Sequence, residues 1–342
     1  MKNILVTGGA GFIGSAFVRQ MVLRHPDLNF IVLDLLTYAG NLKNLLPVSD
    51  EANYRFVQGD IASRENCASV MKEHDIDTVV NFAAESHVHR RILEPDAFIR
   101  TNTLGVNVLL DEACRAGIGR FLQVSTDEVY GDIAPGTFSV EEDPYLPNSP
   151  YSASKAGAEL LVRAWQVTHD LDTVITRGSN TFGPYQYPEK LMPFFITEAI
   201  DGRALPLYGD GRQQRDWLHV DDHASAVACV LFHGESGQVY NIAGEHQARN
   251  LDITRRILEL LDKPESLVRH VPDREGHDRR YAMRCERLKA LGWQREHSFE
   301  EAAAATVRWY QENEWWWRSI KAGDWQDWYE RQYAARLAAA DG

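Results

Sequence analysis

A glycine-rich segment near the amino terminus constrains the fold of this chain more than any other feature. Residues 4–6 form a short apolar run that predicts a strand, residues 7–14 follow it directly, and a helix-like run begins at residue 15. Gly8, Gly11 and Gly14 permit a tight turn, close approach of a diphosphate to backbone N–H groups, and close packing of the helix on the strand. This order of strand, glycines and helix predicts a dinucleotide-binding βαβ unit rather than a glycine turn without a ligand.

Short apolar runs recur through the first half of the chain, with helix-like stretches between them. After the first run they lie at residues 30–33, 54–57, 78–82, 121–124 and 173–176. Their apolar residues are consecutive rather than alternating, which suits parallel strands covered by helices on both faces. The sequence therefore predicts an α/β fold with a Rossmann-type doubly wound parallel sheet.

The alternation of strand and helix patterns breaks after about residue 180, where segments rich in Pro, Gly and Tyr begin. Strand-like and helix-like patterns return from about residue 217. We therefore expect an NAD-binding Rossmann domain over residues 1–179, a return of the chain to it at about 217–245, and a smaller, mixed α/β substrate lobe formed mainly by residues 180–342.

Tryptophans are concentrated towards the carboxyl terminus and allow two interpretations. We expect amphipathic helices that pack their aromatic faces onto the body of the protein, and the alternative is a carbohydrate-stacking surface. The residues concerned are Trp309, Trp315, Trp316, Trp317, Trp325 and Trp328.

Composition disfavours several classes of partner. The net charge of -13 argues against nucleic acid, because binding to a polyanion depends on Lys and Arg. The four cysteines lie far apart, without the spacing of a zinc site or a disulfide framework. We therefore expect reduced thiols, no metal and a cytoplasmic location. No apolar run approaches the roughly 20 residues that span a bilayer, so we expect no membrane contact.

Two acidic residues follow the second and third predicted strands. Asp34 lies 20 residues after Gly14, where a carboxylate can accept hydrogen bonds from an adenosine ribose. No Arg or Lys lies between Ile31 and Asn41 to bind a 2′-phosphate, so NAD is favoured over NADP. Asp60 is placed to reach the adenine edge, and an aspartate that caps a helix is the alternative there.

Two further groups of residues suggest chemistry. Tyr151 and Lys155 share one face of a predicted helix, where the ammonium group can lower the pKa of the phenol and hold the nicotinamide ribose. Thr126, Asp127 and Glu128 follow the fifth predicted strand, whose carboxyl end faces the ligand crevice. Two adjacent acids there indicate function, because burying a carboxylate costs desolvation free energy, although a solvated acidic turn is the alternative.

Several motifs together resemble the dTDP-glucose 4,6-dehydratases, which belong to the extended short-chain dehydrogenases/reductases. The resemblance covers nearly the whole chain. The Thr-Asp-Glu triplet at 126–128 is its specific part, since related sugar-nucleotide epimerases keep the Tyr and Lys but not the two acids. The other motifs are residues 7–14, Leu36-Thr37-Tyr38-Ala39-Gly40-Asn41, Ala83-Ala84-Glu85-Ser86-His87-Val88, Tyr151 with Lys155, Gly183-Pro184-Tyr185, Pro188-Glu189-Lys190-Leu191, Arg215-Asp216-Trp217 and Gly276-His277-Asp278-Arg279-Arg280-Tyr281.

The resemblance implies NAD-dependent dehydration of dTDP-glucose to the 4-keto-6-deoxy sugar nucleotide. Tyr151 takes the proton of the C4 hydroxyl while hydride passes from C4 to NAD, and Thr126 binds the sugar near C4. Glu128 then removes the C5 proton, and Asp127 protonates the leaving C6 hydroxyl before hydride returns to C6. This scheme requires Asp127 to be neutral while Glu128 is charged.

The resemblance also implies which positions bind ligands, with Lys155 acting beside Tyr151. It further implies a homodimer that pairs through helices near 103–116 and 151–168. The implied cofactor positions are Gly8, Gly11, Phe12, Ile13, Gly14, Asp34, Thr37, Asp60, Ile61, Ala83, Ala84, Thr101, Tyr151, Lys155 and Thr181. The implied substrate positions are Ser86, Thr126, Asn180, Lys190, Leu191, Pro206, Tyr208, Arg215, Asn241, Asp273 and His277.

Five residues depart from the family pattern: Leu35, His89, Arg91, Thr181 and Phe182 stand where Lys, Asp, Ser, Asn and Tyr are frequent. These changes would affect NAD binding or sugar preference and leave the catalytic set intact.

Three alternatives remain. A UDP-glucose 4,6-dehydratase would catalyse the same reaction and differ in the nucleoside it recognises. A UDP-sugar 4-epimerase or decarboxylase does not need the acids at 127 and 128, and an NAD-sensing regulator does not need a base at 151.

Overall fold

The computed structural model describes residues 1–86, 95–273, 277–323, 325–334 and 336–337. Within these residues, seven parallel strands form one central sheet. They are β1 (Asn3–Thr7), β2 (Asn29–Asp34), β3 (Tyr54–Gln58), β4 (Thr78–Asn81), β5 (Arg120–Thr126), β6 (Thr173–Gly178) and β10 (Val239–Ile242). Their order across the sheet is β10-β6-β5-β4-β1-β2-β3. The strand order reverses between β1 and β4, and in such sheets the ligand crevice lies at that reversal.

Helices cover both faces of this sheet. The apolar residues of β1 are fully buried, as expected for a strand that packs against helices on both sides. The helices before residue 240 are α1 (Phe12–Arg24), α2 (Arg64–Glu73), α3 (Pro95–Phe98), α4 (Val106–Ala116), α5 (Pro150–His169), α6 (Leu191–Ile200) and α7 (Val220–His233), with a π-helical segment at Ile99–Gly105 and 3-10 turns at Leu42–Val48 and Asp127–Tyr130. Of these, α6 belongs to the second layer of structure described next.

Two smaller sheets lie beyond the central one. The strands β7 (Asn180–Phe182), β9 (Gln214–His219) and β11 (Gln247–Arg249) form a mixed sheet, and β8 (Leu205–Tyr208) pairs in parallel with β12 (Val268–Val271). The remaining helices are α8 (Asn250–Leu260), α9 (Glu286–Ala290), α10 (Phe299–Glu312), α11 (Glu314–Lys321) and α12 (Trp325–Tyr329), with a 3-10 turn at Glu265–Leu267 and a π-helical segment at Glu330–Ala334. The predicted fold class, a Rossmann-type sheet with a smaller mixed α/β lobe, is confirmed.

The division at residue 179 stays a prediction, although the chain does return to the central sheet. The helix α7 packs on α1, and β10 pairs with β6. Both elements lie within residues 217–245, where the sequence places the return.

Packed aromatic side chains form much of the apolar core of the smaller lobe. Trp316, Trp317 and Trp325 are 1%, 0% and 4% exposed and belong to the same buried apolar cluster as residues of α6 and α8. The packing interpretation is therefore confirmed for these three residues. Trp315 is half exposed, and the side chain of Trp328 lies outside the described residues.

In the part of the chain that the structure describes, we find no helix with the length and apolar character needed to span a bilayer.

Candidate active site

A cavity of about 380 Å³ lies at the carboxyl ends of the central strands. Every cofactor position implied by the sequence lines it. These are Gly8, Gly11, Phe12, Ile13, Gly14, Asp34, Thr37, Asp60, Ile61, Ala83, Ala84, Thr101, Tyr151, Lys155 and Thr181. The five candidate catalytic residues line the same cavity, since Thr126, Asp127 and Glu128 join Tyr151 and Lys155 there.

The glycine turn is too tightly packed for side chains at two positions. Gly8 has φ +67°, and a Cβ atom there would lie 2.5 Å from the backbone nitrogen of Ala83. A Cβ atom at Gly14 would lie 2.3 Å from the carbonyl oxygen of Gly8. Glycine therefore lets α1 begin directly against the end of β1, which leaves backbone N–H groups at the cavity wall.

Asp34 ends β2 with both carboxylate oxygens fixed by the backbone. Its Oδ2 accepts a hydrogen bond from the N–H of Ala10 at 3.0 Å, and its Oδ1 accepts one from the N–H of Leu36 at 2.8 Å. Burial raises its pKa, while these two hydrogen bonds oppose the rise. The adjacent Leu35 is 45% exposed and brings no positive charge. Among the described residues no cation acts on this carboxylate, and a carboxylate held in this orientation fits a ribose diol and not a 2′-phosphate.

Asp60 is held by neighbouring groups, and its contact with adenine stays a prediction. Its Oδ1 accepts a hydrogen bond from the N–H of Ala62 at 2.8 Å, and its Oδ2 is 2.9 Å from Nη2 of Arg100. Ser63 caps the following helix α2, so the capping alternative for Asp60 is wrong. Asp60 also lines the cavity.

The helix α5 presents Tyr151 and Lys155 to the cavity. Ser149 caps this helix through a reciprocal hydrogen-bonded pair with Ser152, and Pro150 begins it, so the first turn is rigidly placed. The Nζ atom of Lys155 donates to the carbonyl oxygen of Val124 at 2.8 Å, and the residue is 4% exposed. Burial lowers its pKa to about 8.

The two neighbouring acids begin a turn that follows β5. The hydroxyl of Thr126 accepts a hydrogen bond from the N–H of Glu128 at 3.3 Å and donates to Oδ1 of Asp127 at 3.3 Å. Asp127 is 4% exposed, and its Oδ2 has no hydrogen-bond partner among the described residues. Burial, and then the charges of Glu128 and Asp216, raise the pKa of Asp127 to about 8. At neutral pH the site therefore holds a neutral carboxylic acid with one oxygen free of partners.

The implied substrate positions divide into two groups. Ser86, Thr126, Asn180, Lys190 and Leu191 line the cavity, and Nζ of Lys190 donates to the carbonyl oxygen of Ser86 at 3.1 Å. The positions outside the cavity lining are Pro206, Tyr208, Arg215, Asn241, Asp273 and His277. The substrate roles of all these residues stay predictions.

Most of the second group lies together in the smaller lobe. Nδ1 of His277 is 2.7 Å from Oδ1 of Asp273, and its ring lies edge-on to Tyr208 at 6.2 Å between centroids. Arg215 is 5% exposed, stacks on the ring of Tyr281 and donates to backbone carbonyl oxygens, including that of Asp278 at 2.9 Å.

Asn241 lies apart from that group. It belongs to β10 and is 0% exposed, and its Oδ1 accepts a hydrogen bond from the hydroxyl of Tyr130 at 2.7 Å. Its side chain is therefore enclosed within the first lobe, and a substrate contact would need that packing to open.

Sequence reasoning missed His223, a cavity-lining residue on α7. The hydroxyl of Thr181 lies 3.0 Å from the carbonyl oxygen of Ser179, to which it can only donate, and 2.7 Å from Nδ1 of His223. The hydroxyl must then accept from the imidazole, so the ring proton is on Nδ1. Burial lowers the pKa of His223 to about 4. Thr181, one of the departures from the family pattern, is thus paired with a neutral histidine 42 residues away. No local motif marks this pair. Two further departures, His89 and Arg91, lie outside the described residues.

Comparison with known proteins agrees with this geometry. The family model described as GDP-mannose 4,6 dehydratase matches residues 5–306. A dTDP-glucose 4,6-dehydratase of Streptomyces niveus is 47% identical over 327 residues, covering 94% of this chain and 96% of that protein. A dTDP-glucose 4,6-dehydratase of Bacillus anthracis, solved in complex with NAD, is 45% identical with a TM-score of 0.88, covering 94% of this chain and 100% of that one.

An epimerase is similar in fold but less similar in sequence. The UDP-glucose 4-epimerase of Thermus thermophilus, solved with NAD, is 29% identical with a TM-score of 0.84, covering 91% of this chain and 99% of that one. The resemblance drawn from the sequence is confirmed, and the chain belongs to the GDP-mannose 4,6 dehydratase family of nucleotide-sugar enzymes.

Proposed function

We propose that this chain is an NAD-dependent enzyme that dehydrates dTDP-glucose to dTDP-4-keto-6-deoxyglucose. One observation carries the proposal: a buried, neutral Asp127 next to Glu128 lies in the same cavity as Tyr151 and Lys155. Elimination of water needs one group that gives a proton and another that takes one, and the neutral carboxyl of Asp127 beside the carboxyl of Glu128 supplies both. The name and the 47% identity of the Streptomyces niveus relative support dTDP-glucose as the substrate.

The residues around the cavity fit NAD. The backbone N–H groups of the glycine turn would hold its diphosphate, Asp34 its adenosine ribose, and Lys155 its second ribose. When bound, NAD supplies the acceptor for the hydride of C4 and the source of the hydride that reaches C6.

Tyr151 is the proposed base for the first step. It takes the proton of the C4 hydroxyl as the C4–H bond breaks, which leaves a ketone at C4. The charge of Lys155 favours the phenolate form, because an opposite charge nearby stabilises an ionised group. Thr126 would hold the oxygen at C4.

The acids act in the second step. The new ketone acidifies the C5–H bond, Glu128 takes the C5 proton, and Asp127 gives its proton to the C6 hydroxyl, which departs as water. Asp127 suits this task because its pKa of about 8 keeps it protonated at neutral pH. After hydride reaches C6, a proton returns to C5, so the sugar loses one water and the cofactor ends in its starting state.

Substrate contacts follow the two groups of positions described above. Ser86, Asn180, Lys190 and Leu191 would face the sugar and diphosphate, while Arg215, Asp273, His277 and the segment Pro206 to Tyr208 would hold the nucleotide. Arg215 suits a diphosphate through its planar donor fork, and Asn241 is an additional proposed contact.

We also propose a cytoplasmic homodimer. The four cysteines are free thiols, which suits a reducing compartment. Leu160 and Val167 on α5 and Leu104 before α4 are 52%, 65% and 52% exposed. These apolar side chains lie on the two helices that pair across dimers in this family, and pairing would cover them.

Purified protein incubated separately with dTDP-glucose and with UDP-glucose tests the function. We expect the alkali-induced absorbance of a 4-keto-6-deoxy product with dTDP-glucose. A signal with UDP-glucose alone would change the substrate assignment. A galactose product would indicate an epimerase, and no product from either sugar would indicate a regulator.

A further inference from the structure

A second group of chemically capable side chains lies away from the catalytic residues. His219, Asp221 and His297 each place one potential metal-ligand atom within 4.8 Å of the other two. His219 immediately precedes α7, Asp221 lies in the first turn of that helix, and His297 comes just before Ser298, which caps α10. The group therefore joins the helix that packs on α1 to the segment that enters the carboxyl-terminal helices.

We propose that these three side chains bind one divalent transition-metal ion, with zinc as the best match. Two imidazole nitrogens and one carboxylate oxygen, with open positions for water, are a common ligand set for zinc. Nδ1 of His219 and Oδ2 of Asp221 are already 3.8 Å apart. Bonds of about 2.0–2.2 Å to zinc bring neighbouring ligands slightly closer than this, so small side-chain movements suffice.

Neighbouring groups orient two of the three ligands, His297 and Asp221. Nδ1 of His297 lies 3.0 Å from Oδ1 of Asp222, a residue that is 1% exposed and also accepts the backbone N–H groups of Glu296 and His297. With Nδ1 donating to this carboxylate, Nε2 of His297 is left to bind a metal. A carboxylate that holds the other nitrogen of a ligating histidine is a recurrent feature of metal sites.

The third ligand is oriented from the first helix of the chain. The side-chain amide of Gln20 donates to Oδ1 of Asp221 at 3.3 Å, while Oδ2 faces His219. The backbone N–H of Asp221 makes only a long contact of 3.4 Å with Nδ1 of His219, so a metal would displace one weak hydrogen bond.

Charge and access also favour a cation. Asp221 and Asp222 bring two carboxylates to the group. Arg19 is the cation that faces Asp221, and its guanidinium donates to Ser15 and to the carbonyl oxygen of Asn44. Asp221 and His297 are 43% and 35% exposed, so an ion can enter from solvent.

Such an ion would tie the segment at 296–298 to the start of α7, which is a structural role rather than a catalytic one. The expectation of no metal drawn from the sequence rested on cysteine spacing. It did not consider two histidines 78 residues apart, at positions 219 and 297, that only the fold brings together.

Metal-free full-length protein, titrated with Zn²⁺ against a chromophoric competing chelator, tests the proposal. We expect one Zn²⁺ per chain and a rise in Tm on its addition, because a ligand that binds only the folded state stabilises it. In His297→Gln and in Asp221→Asn, binding should weaken at least about tenfold and the rise in Tm should disappear. His233→Gln, at the far end of the same helix, is the matched control and should behave as the unchanged protein.

Two outcomes would overturn the proposal. One is an unchanged protein that binds no Zn²⁺ at micromolar concentration, and the other is undiminished binding in both His297→Gln and Asp221→Asn, which would place the ion elsewhere. Dehydration of dTDP-glucose is measured in the same preparations and should be unchanged, because none of the variants alters a catalytic residue. A failure of zinc binding can therefore be told apart from a failure of the proposed function.

Discussion

The candidate site has two halves: a cofactor half at the carboxyl ends of the central strands and a proposed nucleotide half in the smaller lobe. Different groups of the protein form them. Every implied cofactor position lines one cavity, whereas six of the implied substrate positions lie outside it. In the cofactor half, close glycine packing and the carboxylate of Asp34 hold the backbone of the turn in place. In the half proposed to bind the nucleotide, Arg215 donates to a backbone carbonyl oxygen and Asp273 pairs with His277. A substrate must exchange those contacts for its own, and we expect this half to rearrange more on binding.

The largest effect is expected in the cofactor half, on removal of the proposed base. Tyr151→Phe should lower kcat by about 10²–10⁴, the usual contribution of a positioned proton acceptor. Oxidation at C4 should fail first, so rapid mixing with dTDP-glucose should show no reduced nicotinamide. Turnover at the normal rate in this variant would remove Tyr151 from the mechanism, whatever the state of the nucleotide half.

Asp127→Asn should slow loss of water by about 10²–10³ while C4 oxidation continues, because an amide lacks the proton that the C6 hydroxyl needs. Reduced nicotinamide should then accumulate in a single turnover. In the unchanged protein, elimination should decline as the pH rises through about 8, where Asp127 ionises.

Stability gives an independent reading of the same carboxyl group. Its folded-state pKa is raised above the unfolded value of about 3.9, so its contribution to folding is complete below that value and is lost as the pH rises through about 8. The free energy of unfolding, measured with denaturant, should therefore fall less between about pH 5 and about pH 8 in Asp127→Asn than in the unchanged protein. An equal loss in both proteins would contradict a neutral Asp127.

Gly14→Ala should weaken NAD binding about 10–100-fold, since the added Cβ would lie 2.3 Å from the carbonyl oxygen of Gly8. Calorimetric titration with NAD measures this directly. Gly119→Ala is the matched control, because its Cβ would make only an ordinary contact of 3.5 Å with Asp77. Similar affinities in both variants would show that the turn adapts, and the contrast between the two halves would lose its basis.

The smallest expected change belongs to the nucleotide half. Arg215→Lys should raise KM for dTDP-glucose about tenfold and leave NAD affinity unchanged, because lysine keeps the charge but loses the paired donors. Arg249→Lys, an exposed arginine on the adjacent strand β11, controls for lobe stability. A loss of NAD affinity in Arg215→Lys would mean that NAD binding and nucleotide binding depend on each other, against the separation of the two halves.

Sequence predicted best those features that depend on neighbouring residues. The glycine turn, the end of β2 at Asp34, and the pairing of Tyr151 with Lys155 on one helix follow from short spacings. Parallel strands then bring their carboxyl ends to one edge, which is why the predicted cofactor positions converge.

Features set by distant residues could not be predicted in this way. The neutrality of Asp127 depends in part on Asp216 on β9, and the proton position on His223 depends on Thr181. The burial of Asn241 behind Tyr130 likewise becomes visible only when β10 is placed in the sheet.

One hydrogen-bonded chain links the carboxyl-terminal helices to the glycine turn. The indole of Trp316 donates to Oδ1 of Asn44, 272 residues earlier, and the amide of Asn44 donates to the carbonyl oxygen of Ala10. Synthesis runs from the amino terminus, so the glycine turn is made well before the indole that helps to fix it. A nascent chain therefore lacks this support for the turn until α11 has been made and has folded back.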